Sequence, residues 1–252
     1  MENVYTILQE KMTLNQFPLS AKYNIKWVIE NEMGPSSLWL MEFLVEKIDL
    51  KEGMRVLDLG CGNAMSSIFL AKEFGVQIIA ADLWINASEN MKKIKEENME
   101  TKVFPINADA HNLPFAHECF DAIVSVDSYQ YYGTNELFLD GIIKYLKPSG
   151  QIGIVIPSVE REFGDNIPEK LKPYWESDTY LFYTIEWWKR LWSHNENIDI
   201  EVADKMPNGY KNWLLWDKTL KEYNVLKRKG DVELLEADEG NFTFARMVGR
   251  KR

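Results

Sequence analysis

Two cysteines in 252 residues, Cys61 and Cys119, leave no disulfide framework on which a small extracellular fold could depend. Both sit in apolar, strand-like stretches without a second ligand at metal-binding spacing, so a reducing, cytoplasmic setting and no metal site are expected. Long hydrophobic runs are missing too. None approaches the ~20 residues that span a bilayer, and the opening MENVYTILQEKMTLNQF lacks the basic, apolar, small-residue order of a secretory signal. Positive charge is scarce: 29 Lys and Arg stand against 39 Asp and Glu, for a formal net charge of -10. A polyanion must be met by clustered cations, so nucleic acid is not the expected partner. The short basic runs LKRKG and GRKR read as solvated faces.

What is present is ordinary globular composition, 46% hydrophobic and 27% charged. From Gly53 to Val159, short apolar runs alternate with amphipathic stretches, the pattern of strands and crossover helices around a parallel sheet. Strands are predicted at MRVLDLG, VQIIAAD, KVFPINA, FDAIVSVD and GQIGIVIP. Helices are predicted at AMSSIFLAKEF, ASENMKKIKEEN and NELFLDGIIKYL, with Gly75 closing the first. An earlier helix, about 36–48, would be capped by Ser36 or Ser37. IDIEVAD and NFTFARMVG read as two more strands, with GYKNWLLWDKTLKEYNVL helical between them. The chain is thus divided into a helical leader (1–50), a ligand-binding core (51–157), an aromatic-rich lid or substrate insertion (158–197), and a C-terminal part (198–252) completing the sheet.

The stretch VLDLGCGNAMSS places Gly60 and Gly62 after the first strand, as a nucleotide-binding turn begins. A dinucleotide fingerprint calls for a third glycine where this chain has Met65, so a pyrophosphate ligand is disfavoured. The acids point the same way. Asp58 precedes the turn, where a positively charged amino-acid portion of a ligand suits it better than a pyrophosphate. Asp82 ends the second strand and can accept from a ribose diol. Asp109 ends the third, where its carboxylate and the Ala110 N–H match the edge of a purine.

Together these segments resemble the class I S-adenosylmethionine-dependent methyltransferase family over roughly residues 49–157. VLDLGCGNA is similar to its first motif, AADLW to its ribose acid, NADAHNLPF to its adenine motif, FDAIVSVDSYQYYG to its fourth strand, and LKPSGQIGIV to the turn and strand that follow. The resemblance extends loosely to small-molecule and cyclopropane fatty acid synthase-like members. It implies an α/β, Rossmann-like open sheet of seven strands, mostly parallel with an antiparallel last strand, and helices on both faces. It implies S-adenosyl-L-methionine as cofactor, with Asp58, Gly60, Cys61 and Gly62 at its methionine end, Asp82 on the ribose, Leu83 on one adenine face, and Asp109 and Ala110 at the adenine edge. By analogy with leaders that close the pocket in related enzymes, Tyr23 would reach the methionine carboxylate. Ala64 departs from the fuller pattern, which has glycine there. The cost is small if its φ stays negative.

The segment DSYQYYG should lie beside the methyl group. Asp127 is placed to accept from the cofactor's ammonium or from the acceptor, and Tyr129, Gln130, Tyr131 and Tyr132 to orient the acceptor; Asp127, Tyr129 and Gln130 are the catalytic candidates. The asparagine-proline-proline-aromatic sequence of many adenine and glutamine amide methyltransferases is absent, which favours a small-molecule acceptor. Six of the nine tryptophans fall between Trp175 and Trp216, either lining an acceptor pocket or forming core. The expected reaction is methyl transfer to a small molecule by in-line displacement. A silent cofactor-binding sensor or partner subunit, and a cyclopropane-forming lipid enzyme, are the alternatives. Neither acceptor nor oligomeric state can be read from the sequence.

Overall fold

The computed structural model describes residues 2–252, with side chains from residue 4 onward. Its centre is a seven-stranded sheet formed by β1 (Arg55–Leu59), β2 (Gln77–Asp82), β3 (Val103–Asn107), β4 (Phe120–Val126), β5 (Leu146–Val159), β6 (Ile198–Lys205) and β7 (Phe242–Lys251). Their order is β3-β2-β1-β4-β5-β7-β6. The first five pair in parallel, while β7 runs antiparallel to both β5 and β6. Val, Ile, Leu and Ala dominate β1, β2 and β4, which are covered on both faces and therefore read as continuous apolar runs.

Around the sheet lie α1 (Glu2–Met12), α2 (Ile25–Asn31), α3 (Ser37–Val45), α4 (Met65–Phe74), α5 (Ala87–Glu96), α6 (Phe138–Ile143), α7 (Ile185–Ser193), α8 (Gly209–Glu222) and α9 (Val232–Asp238). Gly75 ends α4 at φ 68°, with its N–H on the Ala71 carbonyl, as its position in the sequence predicts. Other local expectations are corrected. Ser36 precedes α3 at φ 48° and makes no side-chain cap. The helix expected from NELFLDGIIKYL is only six residues long, with Gly141 in its interior, and the last residue of that stretch, Leu146, already belongs to β5. Ala64 has φ 60°, so its methyl is held in the left-handed region at a cost of about 1–2 kcal/mol. The condition for a negligible cost is therefore not met.

The leader is bound to this framework by buried polar contacts. Glu42 on α3 accepts from the Leu19 N–H (2.8 Å), the Ser20 N–H (2.6 Å) and the Ser20 hydroxyl (2.6 Å). Trp216 on α8 donates through Nε1 to Glu32 Oε2 at 2.7 Å. These contacts deliver residues 31–37 to the carboxyl edge of the sheet. The chain moves outward from β1 to β3 and then returns to β4 on the other side of β1, so strand order reverses there, where open α/β sheets form their ligand crevice.

Candidate active site

A cleft of about 390 Å3 opens at that reversal point, walled by the turn after β1, the ends of β2 and β4, the segment after β3, and the leader. Its floor is the Gly60–Asn63 turn, with Gly60 at φ 74° and Gly62 at φ 52°. The turn is held from several sides. Gly60 and Cys61 donate to the Ala81 carbonyl (2.8 and 3.1 Å), Gly62 donates to Asp82 Oδ2 (2.8 Å), and the Asn90 amide donates to the Gly62 carbonyl (2.8 Å). A β-carbon on Gly60 would meet Ser128 Oγ at 1.9 Å, so glycine is needed there for close approach as well as for its φ. Burial raises the Cys61 thiol pKa, reinforced by the negative charges of Asp58 and Asp82. A thiol held protonated in this way is not a nucleophile.

Asp82 is nearly saturated by the backbone. Besides Gly62, it takes the N–H groups of Trp84 and Ile85 on Oδ1, each at 2.8 Å. A carboxylate offers about four acceptor positions, so one position on Oδ2 remains for a ligand hydroxyl, where the sequence suggested two. Leu83 and Trp84 follow on the rim, 57% and 70% exposed. Asp109 is exposed and accepts from the backbone N–H and the Nδ1 of His111, which lower its pKa.

On the opposite wall Asp127 adopts φ 50° and accepts from Gln130 Nε2 at 3.4 Å. Burial raises its pKa to about 7, the Arg228 charge opposing. That value sits where a carboxylate can exchange a proton near neutrality. Tyr131 and Tyr132 stand next to it on the cleft wall.

Gly60, Cys61, Gly62, Asp82, Leu83, Asp109, Ala110 and Asp127 all line the cleft. Four other candidates are placed elsewhere. Tyr23 packs on Trp27 and Phe69, and its hydroxyl donates to Glu73 at 3.2 Å, so it does not reach the cleft. Asp58 is buried behind the turn; its Oδ2 accepts from Ser66 and Ser67, each at 2.6 Å, which ties β1 to the first turn of α4. Tyr129 is enclosed by Tyr132, Phe138, Trp188 and Trp192 and is a core residue. Gln130 is fully buried and touches Asp127 from behind. The leader contributes Asn31, Met33, Gly34 and Ser37, which sequence reasoning missed. The leader was expected to close the pocket, but through Tyr23, and the glycine in NEMGPSS was the one signal for this part of it.

The tryptophan-rich region divides. Trp188, Trp192, Trp213 and Trp216 are buried in the core and none lines the cleft, whereas Trp84, outside that region, does. No lysine or arginine lines the cleft among the described residues, leaving a pyrophosphate without a charged partner.

The profile of the family described as Methyltransferase domain matches residues 50–230. The chain is 29% identical over 198 residues to the erythromycin 3''-O-methyltransferase of Saccharopolyspora erythraea, a match covering 73% of this chain and 64% of that one. It is 29% identical over 116 residues to the methyltransferase GfsG of Streptomyces halstedii, covering 46% and 42%. The matches therefore span less than two thirds of the length of these relatives. Among solved structures, phosphoethanolamine N-methyltransferase 2 of Haemonchus contortus, in complex with S-adenosyl-L-methionine, superposes with a TM-score of 0.73 at 20% identity, covering 98% of this chain and 60% of that one. The profile match covers most of the chain, and the glycine turn, the strand-end acids and the sheet order agree with it: the chain belongs to the methyltransferase-domain family, of the class I S-adenosylmethionine-dependent kind.

Proposed function

We propose that this protein transfers the methyl group of S-adenosyl-L-methionine to a small-molecule acceptor. The observation that carries the reading is the cleft itself: a glycine turn, an acid with one free acceptor position at the end of β2, and a second acid–amide pair after β3, with no cation for a phosphate. These residues fit an adenosine attached to a short zwitterionic chain. Asp82 Oδ2 takes a ribose hydroxyl, Leu83 covers one adenine face, and Asp109 with the Ala110 N–H meets the adenine edge. The N-terminus of α4, with Ser66 on the cleft wall, favours a carboxylate through its free N–H groups and dipole.

Bound there, the cofactor supplies an electrophilic methyl on a sulfonium. The protein's part is to hold an acceptor in line with it and exclude water, and both tasks fall to the leader and to the segment after β4. Asp127 faces this space and can take a proton from an acceptor. A net charge of -10 and the absence of a cationic wall speak for a small molecule over nucleic acid. No helix among the described residues is long and apolar enough to cross a membrane.

Titration calorimetry with S-adenosylhomocysteine is the test. Micromolar or tighter binding, weakened at least about tenfold in Asp82→Ala, is expected. Absence of binding to the unaltered protein overturns the reading.

A further inference from the structure

Behind Asp127 and Tyr131, outside the residues that line the cleft, stands a group of carboxylates with few cations among them. Asp178 hydrogen-bonds to Tyr131 and, with Asp231, exerts its charge on Asp127. Asp231, Asp217 and Glu32 surround Arg228. Arg228 is paired with Asp217 and lies 3.7 Å from Asp231, so its charge is already shared. Lys227 also acts on the group, its charge reaching Glu32. Five carboxylates thus stand around the single Arg228 guanidinium, with Lys227 exposed beside them.

Acids alone would not define a site, but two buried acceptors here have no donor. Gln130 is completely buried with its amide against Asp127, yet its Oε1 has no hydrogen-bond partner. Glu32 uses one carboxylate oxygen on Trp216, while the other is buried and unpaired. Unmet acceptors beside uncompensated negative charge describe the imprint of a donor-rich cation. At the mouth, Trp84 and Tyr131 approach with ring centroids 5.9 Å apart and present aromatic surface of the kind that attracts organic cations. Among the described residues, no three His, Cys, Asp or Glu side chains come together as metal ligands, so a bare metal ion does not match the arrangement.

We propose that the methyl acceptor is an organic amine, entering as its ammonium between the Trp84–Tyr131 rim and the carboxylate of Asp127, with the charge of Asp178 behind Tyr131 adding to the attraction. The proposal rests on the methyltransferase reading and specifies its acceptor. Burial raises Asp127 to about 7 and Asp231 to about 6, with the shared charge of Arg228 only partly opposing it, and an ammonium would oppose it further. An amine must shed a proton before its lone pair is free. The lone pair then forms the new N–C bond, the electrons of the broken C–S bond stay on sulfur, and the proton passes to Asp127 and on to water.

Calorimetry on protein saturated with S-adenosylhomocysteine tests this directly with three probes of one skeleton: 2-phenylethylammonium, 2-phenylethanol and 3-phenylpropionate. The ammonium should bind at least about tenfold more tightly than the alcohol, and the carboxylate more weakly still. Asp127→Asn and Asp178→Asn should each weaken the ammonium at least about fivefold while leaving the alcohol unchanged, with thermal unfolding confirming that both variants fold. The proposal is overturned if the alcohol or the carboxylate binds as tightly as the ammonium, if none of the three binds, or if neither variant affects the ammonium. Failure of S-adenosylhomocysteine to bind at all is a separate result and would remove the methyltransferase reading beneath it.

Discussion

Gly34 lies directly against the carboxylate of Asp127: a β-carbon at Gly34 would come within 1.6 Å of Asp127 Oδ2. The leader therefore closes over the cleft only because this position has no side chain, and in doing so it helps to bury the acid. Gly34→Ala must displace either the leader or Asp127, an overpacking that costs about 1–3 kcal/mol. Gly141→Ala makes the matching control, since a β-carbon there meets nothing within 4 Å and Gly141 sits inside α6. That change should stabilise by about 0.5–1 kcal/mol. Urea unfolding of the two variants should shift in opposite directions, and only Gly34→Ala should weaken S-adenosylhomocysteine.

Asp82 braces the turn and, in the proposed reading, also holds the ligand, and Asp82→Asn separates the two roles. An amide has one acceptor oxygen where the carboxylate has two. With that oxygen toward Trp84 and Ile85, its NH2 faces the Gly62 N–H, and the opposite orientation strands the other pair. A buried N–H left without an acceptor costs about 1–3 kcal/mol. Stability should fall by that amount and cofactor-product affinity by about tenfold or more. A full loss of affinity with unchanged stability would show that Asp82 only binds ligand.

The sheet and the placement of the turn and strand-end residues in the cleft were readable because both depend on local pattern. Apolar runs of five to seven residues predicted β1, β2 and β4, and Gly60, Gly62, Asp82 and Asp109 fall at turns and strand ends whose positions follow from those runs. Tyr23 and Tyr129 were misassigned because an aromatic beside a motif looks the same whether it packs on Phe69 and Trp188 or faces a ligand. Asp58 shows a subtler limit: its place at the end of β1 was legible, but its direction was set by the Ser66 and Ser67 hydroxyls eight and nine residues on. Gly34 reaches the cleft, and Asp178 reaches Tyr131 behind it, through tertiary contacts that no short-range pattern encodes.

The tryptophans offer a test of core against cleft. Trp188 is fully buried against Tyr129 and Trp187, so Trp188→Ala should lose about 3–5 kcal/mol of stability. Trp84 is largely exposed and keeps its backbone N–H on Asp82, so Trp84→Ala should change stability by no more than about 0.5 kcal/mol. Its effect should instead appear in acceptor binding. Chemical unfolding of both variants settles the division, and a strongly destabilised Trp84→Ala would contradict it.

Asp58 provides a pH dependence whose sign can be worked out. Burial raises its pKa from 3.8 to about 6, opposed by the hydrogen bonds from Ser66 and Ser67. The folded state then holds this proton more tightly than the unfolded chain, so the unfolding free energy falls as pH rises between those two values and is flat on either side. Two units correspond to a contribution on the order of 3 kcal/mol. Asp58→Asn is the reference: both serines donate to Oδ2, so an amide oxygen in that place keeps both bonds, while the buried, unpaired Oδ1 is replaced by an uncharged NH2. Between about pH 4 and 6 the wild type should lose stability relative to Asp58→Asn. The other acids of raised pKa, Asp127, Glu32, Asp231 and Asp238, are common to both proteins and cancel in the comparison. A difference that grows the other way, with the wild type gaining as pH rises, would mean that the Asp58 carboxylate is stabilised as an anion by the serines and the α4 N-terminus more strongly than burial penalises it.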